Sequence, residues 1–316
     1  MQWLSRTPNF DFVKYRRVAM VTSTTLSLLA IISIFWPGLN YGLDFTGGIL
    51  VEARFAAAPE LDMIRAELSG GGFEDAQVTG SGADVLIRLP PPPEGVEGVE
   101  PSAEAVNALR DRVLEVLRTE DPDVTILRAD NVGGQVGAEL FENAGLALLF
   151  ALIMIFIYVM LRFRWKLAVG AIVATVHDVL VTTGIFAIAG WQFDLTVLGS
   201  ILAVLGYSIN DTIVVYDRIR DNFRLMRRGT PEAIVNASMN QTLARTLVTG
   251  VTTLLVLFAL IFLGGDTLWG FSVALVIGIV VGTYSSIYVA SSMALVLKVE
   301  QSDFVEAKKV HADELP

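Results

Sequence analysis

Residues 206–222 read GYSINDTIVVYDRIRDN, an apolar run that holds one carboxylate, Asp211, before charged residues begin at Asp217. Residues 195–216 contain no other charged side chain. A helix of about 20 apolar residues crosses a bilayer core that is ~30 Å thick. The sequence therefore predicts a membrane-spanning helix with an ionisable group inside it.

The rest of the chain has the composition of a membrane protein. Of its 316 residues, 53% are hydrophobic and 18% are charged, with a mean hydropathy of +0.58. A soluble domain averages about 25% charged residues. Uncharged or nearly uncharged segments predict six spanning helices, at residues 18–36, 143–161, 167–189, 195–216, 243–263 and 268–297.

Composition also excludes several kinds of chemistry. The chain has no cysteine, and its two histidines, His177 and His311, are far apart. Thiolate catalysis, iron–sulfur clusters and thiolate zinc sites are therefore excluded, and neither a metal site nor a cofactor is expected. The net charge of −10 argues against nucleic-acid binding. No HExxH, P-loop or GxSxG motif occurs, so we expect no enzymatic activity.

The distribution of Lys and Arg predicts the orientation. Fifteen basic residues lie before helix one, between helices two and three, between helices four and five, and after helix six, whereas the loops near 190–194 and 264–267 have none. Basic loops stay in the cytoplasm. We expect a multi-pass inner-membrane protein with both termini cytoplasmic and helix one as an uncleaved anchor. Its predicted regions are 1–37, 38–142 (periplasmic), 143–297 (helices two to six) and 298–316 (cytoplasmic tail).

The predicted external region has a charge of −13 between Asp44 and Glu142. Apolar periodicity predicts strands and helices in the order β-α-β-β-α-β, that of a ferredoxin-like α+β domain. The predicted elements are strand 48–55, helix 59–69, strand 75–80, strand 84–89, helix 102–119 and strand 123–130. A proline run and a Gly/Glu-rich segment, 90–98, predict a loop between the halves.

Ionisable residues inside the predicted helices are candidate functional groups, since each costs ~2.5–3.5 kcal/mol to insert. Asp211 and Arg245 are predicted at similar depth in the cytoplasmic half of the membrane. The carboxylate is able to carry a proton, while the guanidinium stays charged and gates or balances it. The alternative is a static ion pair that holds two helices together. His177 and Asp178 are relay or packing groups, and their directions, ~100° apart on a helix, argue against a dyad.

Other patterns predict packing rather than chemistry. Gly278 and Gly282 form a helix-packing motif, which residues 283–286 extend. Between helices four and five, Ile219, Phe223 and Met226 form an apolar stripe that predicts an interfacial helix. Residues 230–232, Thr-Pro-Glu, predict the start of a new helix.

Nearly the whole chain resembles the SecD/SecF family of protein-export membrane proteins, in its SecF branch. The motif of helix four carries the resemblance, supported by residues 42–48, 132–137, 177–178 and 282–286. By this resemblance the membrane carboxylate is Asp211 and the membrane arginine is Arg245. The accompanying family-motif positions are Gly42, Asp44, Gly47, Gly48, Asp217 and Arg218, and Tyr207, Ser208 and Asn210 are further relay or packing positions.

The resemblance implies an accessory subunit of the Sec translocase that uses the proton motive force to drive preprotein translocation. SecD, the SecYEG channel, YajC, YidC, exported preproteins and membrane lipid are the implied partners. The implied coupling ion is H⁺, with Na⁺ as an alternative because a carboxylate serves either. Two other interpretations stay open: half of a proton-driven small-molecule exporter, and a purely structural assembly subunit.

The predicted orientation is testable with protease. Added to the outside of spheroplasts, protease should cut within residues 90–98, which the charge asymmetry places outside the cell. It should spare residues 218–228, which the same rule places in the cytoplasm. Cleavage from outside at 218–228 would overturn the orientation.

Overall fold

The computed structural model describes residues 8–90, 103–226 and 229–304. Within them, helices long and apolar enough to cross a membrane occupy Val13–Gly38, Val136–Arg162, Trp165–Ala189, Leu195–Leu225, Pro231–Leu263 and Leu268–Val296. We call these spans 1 to 6, and they confirm the six predicted helices. The predicted loop at 90–98 lies, after Pro90, outside the described residues.

The spans consist of longer helices than hydropathy alone predicts. They are built from α1 (Arg16–Ser33), α5 (Gly134–Arg162), α6 (Trp165–Ala189), α7 (Leu195–Leu225), α8 (Pro231–Leu263), α9 (Gly265–Ser285) and α10 (Ser291–Val296). Helix α8 begins as predicted, because Thr230 Oγ1 caps it by accepting from the N–H of Ala233 at 3.3 Å and Pro231 occupies the first turn. That start lies twelve residues before the predicted 243, since polar residues 231–242 are helical too.

The predicted interfacial helix between spans 4 and 5 is wrong. Helix α7 continues to Leu225 without a break, so the apolar stripe belongs to span 4. Ile219 and Phe223 are 0% and 1% exposed and belong to one core cluster with Tyr216 and Val235. The stripe faces protein instead of lipid, because α8 and the C-terminal segment cover it.

Between spans 1 and 2 the chain forms a small domain around a sheet. It consists of β2 (Gly48–Arg54), α3 (Leu61–Gly70), β3 (Gln77–Ser81), β4 (Asp84–Leu89), α4 (Ala103–Leu117) and β5 (Thr125–Val132). Among the described residues, these strands form one antiparallel sheet in the order β3-β4-β2-β5, with Val51 opposite Ile87 and Ala129. The predicted elements are present, and the ferredoxin-like classification of this sheet domain stays a prediction.

One face of the sheet is covered by both helices. Alternate residues of β2 and β4, such as Val51 and Ile87, are fully buried with Ile64 of α3 and Val113 of α4. This alternation follows from the two-residue period of a strand. The burial of these apolar side chains is what stabilises the sheet domain.

Ion pairs cross the opposite face of the sheet. Arg54 Nε donates to Asp84 Oδ1 at 2.6 Å, where the two residues face each other across β2 and β4. The hydrogen bond from Arg54 holds the pKa of the Asp84 carboxyl below its usual value. Both groups are well exposed, so the pair matters for strand register more than for stability.

Small residues let the spans pack closely in the bundle. A Cβ atom on Gly278 of α9 would collide with Val204 of α7, which bears out the predicted packing role of this glycine. Gly184 of α6 lies against Ala30 of α1 in the same way. Helix α7 contacts α6, α8 and α9, so it lies in the middle of the bundle.

The C-terminal segment turns back onto the bundle. Lys166 Nζ donates to the carbonyl oxygen of Lys298 at 2.8 Å and to Asp303 Oδ2 at 2.7 Å. Burial acts to raise the pKa of the Asp303 carboxyl, but hydrogen bonds from Lys166 and the Glu300 N–H outweigh it, so this pKa is lowered. The contact is therefore intact at neutral pH and weakens only as the pH falls through that lowered pKa.

A short joint connects the sheet domain to span 4. Here β1 (Asn40–Tyr41) pairs in parallel with β6 (Gln192–Phe193), which directly precedes α7. The one-turn helix α2 (Leu43–Thr46) follows, and Asp44 Oδ2 accepts from the N–H of Leu195 at 3.1 Å. Asp194 Oδ1 accepts from the N–H of Val197 at 2.8 Å. Two carboxylates therefore satisfy free N–H groups at the start of α7.

Aromatic rings and a glycine hold this joint against span 2. Tyr41, Phe45, Phe141 and Phe193 form edge-to-face and stacked pairs with centroids 5.4–6.4 Å apart. A Cβ atom on Gly137 of α5 would lie 2.8 Å from the carbonyl oxygen of Phe45. The close approach of α2 and α5 therefore depends on a glycine at this position.

Gly137 has a matched control on its own helix. Gly145 of α5 has no atom within 4 Å of an added Cβ. We expect Gly137→Ala to lower the thermal midpoint of the detergent-solubilised protein, because backbone must move to relieve the clash. Gly145→Ala should leave the midpoint unchanged or raise it, since Ala favours a helix by up to ~1 kcal/mol. Equal midpoints for the two variants would contradict the packing described for the joint.

Candidate functional site

A buried polar cluster lies where α6, α7 and α9 meet. Its centre is Asp178 of α6, which is 0% exposed. Asp178 Oδ2 accepts from Ser208 Oγ of α7 at 2.5 Å and from Ser285 Oγ of α9 at 2.7 Å. Gly282 of α9 lies beside this group, since an added Cβ would be 3.5 Å from the same oxygen and 3.3 Å from Ser208 Cβ. One carboxylate therefore joins three helices.

His177 forms the second contact of this carboxylate, and our prediction that the two residues are not a dyad is wrong. His177 Nδ1 lies 3.0 Å from Asp178 Oδ1, and His177 is 5% exposed. The directions of the two side chains differ on the helix, but both lean towards α9. There the ring of Tyr284 lies 6.4 Å from the imidazole, next to Ser285. Asp178 bonds neighbouring helices as expected, while His177 Nε2 has no hydrogen-bond partner in the described part of the protein.

The polar cluster continues along α7 towards the C-terminal end of this helix. Thr212 Oγ1 and Ser286 Oγ lie 3.0 Å apart, and Tyr216 Oη donates to the carbonyl oxygen of Ala290 at 2.9 Å. Residues Ser286–Ala290 form a π-helical turn between α9 and α10. Such turns misalign backbone carbonyls and frequently lie at functional sites. Tyr216 is the group that satisfies the carbonyl here.

Asp211 lies on the other side of α7, facing α8. It is 3% exposed, and its Oδ2 atom has no hydrogen-bond partner among the described residues. Helices α7 and α8 run antiparallel, with Asn222 Nδ2 bonded to Ser238 Oγ at 2.8 Å. Arg218 also bonds Gln241 at 2.6 Å, and a Cβ on Gly250 would lie 3.7 Å from Tyr207 Oη, so Thr246 and Thr249 lie near the level of Asp211. The Thr246 hydroxyl is buried and has no hydrogen-bond partner among the described residues. The carboxyl group of Asp211 is therefore buried and incompletely paired within the described part of the chain.

Arg245 is next to Thr246 but is exposed. The described residues contain no ion pair between Arg245 and Asp211, so the static pair that the sequence left open does not form within this chain. Gln241 and Thr252 of α8 are exposed too, and with Arg245 they form a polar stripe on the outside of this helix. Asn210 and Gly206 of α7 are exposed on the outside of the bundle as well. Polar groups of both helices thus face away from the protein at the depth of Asp211.

The other predicted positions serve as structural contacts. Tyr207 is half-buried, and its hydroxyl lies 3.7 Å from where a Cβ of Gly250 would be, with no hydrogen-bond partner among the residues that the structure describes. Asp217 pairs with Arg162 at 2.9 Å and Arg220 at 2.8 Å. Arg218 Nε donates to Gln241 Oε1 at 2.6 Å.

The glycine-rich motif lies in the joint. Gly47 and Gly48 have φ values of 72° and 137°, which favour glycine, and a Cβ on Gly48 would collide with the carbonyl oxygen of Leu89. Gly42 packs against Asp194, where a Cβ would lie 2.9 Å from that residue's own Cβ. Together with the hydrogen bond from the Leu195 N–H to Asp44, these glycines hold the start of the sheet domain against the start of span 4.

The sequence analysis did not predict that Ser285 bonds Asp178 or that Tyr216 bonds the carbonyl oxygen of Ala290. The sequence predicts a packing surface at residues 283–286. The run of hydroxyl side chains inside a span also indicates hydrogen bonding, which that prediction does not include. The partner, Asp178, lies more than a hundred residues earlier. Only the folded bundle brings the two together.

Comparisons with known proteins agree with this architecture. The family model described as "Protein export membrane protein SecD/SecF, C-terminal" matches residues 112–300, and the "SecD/SecF GG Motif" model matches residues 32–58. Protein translocase subunit SecF of Vibrio alginolyticus is 43% identical, over 100% of this chain and 99% of its own length. The SecF of Pseudomonas aeruginosa is 42% identical, over 93% of this chain and 94% of its own.

A solved structure extends the comparison to the fold. SecDF of Thermus thermophilus, a translocon-associated membrane protein, matches with a TM-score of 0.78 and 38% identity. The match covers 92% of this chain and 39% of the SecDF chain. A super-membrane-facing form of SecDF matches with a TM-score of 0.70.

The fold and the buried ionisable groups define a multi-pass membrane protein with a sheet domain inserted after its first span. The full-length identity to SecF subunits and the two family models then identify its family. The chain belongs to the SecD/SecF family of protein-export membrane proteins.

Two serines of α9 test the role of Asp178 as the centre of the polar cluster. Ser285→Ala removes a hydrogen bond to a buried carboxylate and should destabilise the solubilised protein by about 1–3 kcal/mol. Ser272 of α9 is equally buried, but its hydroxyl has no partner among the described residues. Ser272→Ala should therefore be neutral or stabilising. Thermal midpoints measure both, and a more harmful Ser272→Ala would contradict the described network.

Proposed function

We propose that the chain is a SecF-type accessory subunit of the Sec translocase. In this role it pairs with SecD and uses the proton motive force to help move preproteins through the SecYEG channel. Full-length identity to SecF subunits supports the role, as does the likeness to SecDF. The match covers 39% of the SecDF chain, which leaves room in that longer chain for the partner half that the proposal assigns to SecD.

The observation that carries the proposal is the incomplete site at Asp211. A buried carboxyl oxygen that has no hydrogen-bond partner in the described part of the chain lies beside an exposed polar stripe that contains Arg245. An arginine costs ~2.5–3.5 kcal/mol when it faces hydrocarbon at mid-membrane. A second bundle of helices against α7 and α8 would remove this cost and enclose both ionisable groups. The site is therefore shared between subunits.

The chemistry of the shared site follows from the two side chains. A carboxyl group in an apolar site binds a proton, and it releases the proton when a guanidinium approaches. Arginine keeps its own proton throughout. Relative movement of α7 and α8 therefore alternates the protonation of Asp211 and couples ion flow to conformational change. No enzymatic step and no cofactor are part of this mechanism, and H⁺ is the proposed ion in preference to Na⁺.

The proposed setting is the bacterial inner membrane. The fifteen-to-zero distribution of basic residues supports cytoplasmic termini and an external sheet domain, where it would meet an emerging preprotein. YajC and YidC are further proposed partners of the assembly. Copurification with SecD and SecYEG from native membranes is the direct measurement of these partnerships.

Substitution of Asp211 tests the relay. Asp211→Asn keeps size and hydrogen bonding but cannot titrate, so export assisted by the proton gradient should be lost while assembly with SecD persists. Arg245→Lys keeps the charge and should impair export less than Arg245→Met. Export is measured in inverted vesicles with and without a proton gradient. Asp75→Asn, the same change at an exposed carboxylate of the sheet domain, is the control.

The double variant Asp211→Asn with Arg245→Met separates the relay from a structural role. If the two groups pair only for stability in the assembled complex, removal of both avoids the ~3–5 kcal/mol cost of one unpaired buried charge and restores export. Normal gradient-assisted export by a stably assembled double variant would rule out the relay and favour a structural subunit.

A further inference from the structure

An open groove lies between α1 and α6 at the surface of the helical bundle. It has a volume of about 330 Å³. Its lining residues run from Met20 to Ser27 on α1 and from Ile172 to Leu180 on α6. The seven steps from Met20 to Ser27 extend over ~10 Å of helix, about two thirds of the ~15 Å that one leaflet of hydrocarbon measures.

The surface of the groove is almost wholly apolar. Val173 and Val176 lie on its α6 wall, and Val289 of the π-helical turn completes the lining. Ser23 on the α1 wall is already bonded, since its hydroxyl donates to Tyr284 Oη at 3.1 Å. An empty apolar groove forfeits the dispersion contacts of the atoms that line it. Because this groove is open at the surface of a membrane-spanning bundle, an acyl chain is the occupant that its lining suits.

The groove is too narrow for a helix of another protein. Spread over ~10 Å of its length, 330 Å³ corresponds to a cross-section of ~30 Å². A helix with its side chains is ~10–12 Å across, which requires ~80 Å² or more. A single extended chain fills such a space, and a helix does not enter it.

Basic residues lie at the end of the groove that is nearest the start of α1. Arg17 precedes Met20 by three residues and Thr24 by seven, so all three lie on one face of the helix. Lys14 lies three residues before Arg17. Both basic side chains are exposed, and neither has an ion-pair partner among the residues that the structure describes. Because helical side chains lean towards the N-terminus, the Arg17 guanidinium is directed away from the apolar part of the groove.

Acidic side chains do not balance the charge at this end of the groove. Arg16 pairs with Glu232 at 3.5 Å, which accounts for one base and one acid. Asp11 is the one acidic residue between positions 8 and 43, and its Oδ1 atom accepts from the N–H of Lys14 at 3.1 Å. With Lys14 and Arg17 against this single carboxylate, the local charge stays positive.

Trp165, the first residue of α6, marks the level of the headgroups on the other wall. It is 54% exposed and lies on the face of α6 that leads to Ile172, seven residues further on. Spans 1 and 3 cross the membrane in the same direction, and Gly184 packs against Ala30. This register places Trp165 about six residues, or ~9 Å, beyond Arg17 on the side away from the hydrocarbon. Tryptophan is enriched at that level, where lipid headgroups meet water.

We propose that the groove between α1 and α6 binds one anionic phospholipid. An acyl chain lies between the two helices, and Lys14 and Arg17 bind the headgroup phosphate. The distribution of basic residues places this headgroup in the cytoplasmic leaflet. The site is separate from Asp211, which faces α8, and it does not depend on the role proposed for that carboxyl group.

The charge of the headgroup sets the selectivity of the site. An acyl chain gains similar contacts from any phospholipid, so the groove alone does not distinguish lipids. Each basic residue near the membrane surface raises the affinity for an anionic lipid about fivefold. Lys14 and Arg17 together therefore favour phosphatidylglycerol over phosphatidylcholine with the same acyl chains by about 25-fold.

Native mass spectrometry of the detergent-solubilised full chain measures this selectivity. The protein is mixed with equal amounts of phosphatidylglycerol and phosphatidylcholine that have identical acyl chains, and the bound lipids are counted. Arg17→Gln should lower the preference for phosphatidylglycerol about fivefold. Arg118→Gln, the same change at an exposed arginine of the sheet domain, is the control and should leave the preference unchanged. Added salt should reduce the preference of the unchanged protein, because ions screen exposed charges.

Equal binding of the two lipids by the unchanged protein would overturn the proposal, since it would leave only unselective contact with the bilayer. Full preference in Arg17→Gln would overturn it as well. The measurement uses no transport assay, so its result is independent of the proposed role in the Sec translocase.

A second pair of variants tests the place of the acyl chain. Thr24→Trp fills the groove from its α1 wall, whereas Thr25→Trp adds the same side chain at the adjacent exposed position outside the lining. Thr24→Trp should reduce the bound phosphatidylglycerol several-fold, and Thr25→Trp should retain it. Equal retention by the two variants would show that the lipid binds elsewhere and would overturn the proposal. If Thr24→Trp does not fold, the comparison of Arg17→Gln with Arg118→Gln still decides, because both of these side chains are exposed.

Discussion

Hydrocarbon offers no hydrogen bond to the carboxylate of Asp178, so the protein has to supply every partner from its own helices. It does so from two other spans, through Ser208 of α7 and Ser285 of α9, and from the neighbouring His177. The helices that carry these groups must lie close together, which explains why small residues such as Gly278 and Gly282 line their contacts. The arrangement of α6, α7 and α9 follows from this one requirement.

Asp211 is a second buried carboxyl group, and its hydrogen bonding differs from that of Asp178. Its Oδ2 atom has no partner in the described chain, and the nearby cation, Arg245, is turned outward. A group satisfied by three helices holds a bundle in one arrangement, whereas a group left partly unsatisfied has more than one arrangement of similar free energy. The contrast separates the bonded contact of α6 with α9 from the surface of α7 and α8, which we propose another subunit completes.

Much of this architecture was predictable from sequence because hydropathy and charge act locally. The six spans follow from runs of apolar residues, and the strands and helices of the sheet domain follow from alternation and helical periodicity. The same local reasoning failed where partners come from distant parts of the chain. Ile219 and Phe223 have the spacing of a membrane-surface stripe, and only the packing of α8 and the C-terminal segment shows that protein covers them.

The candidate site was likewise predictable from sequence only in part. Asp178, Asp211 and Arg245 stand out in sequence because charge is rare in a span. The hydrogen bond between His177 and Asp178 could not be predicted, because it depends on how both side chains turn towards α9. Ser285 was equally hidden, since a serine in a span usually bonds its own backbone and nothing in sequence names a partner so far away.

The capped start of α7 connects the sheet domain mechanically to the part of this helix that carries Asp211. Asp44 and Asp194 fasten the joint of the sheet domain to the first turn of a helix that also carries Asp211, sixteen residues further on. At 1.5 Å per residue that distance is about 24 Å along a single rod. A tilt of about 5° imposed at the Asp194 end shifts the carboxyl group by ~2 Å, enough to make or break a hydrogen bond. Mechanical load on the sheet domain is therefore transmitted to the buried Asp211 carboxyl group through a single helix.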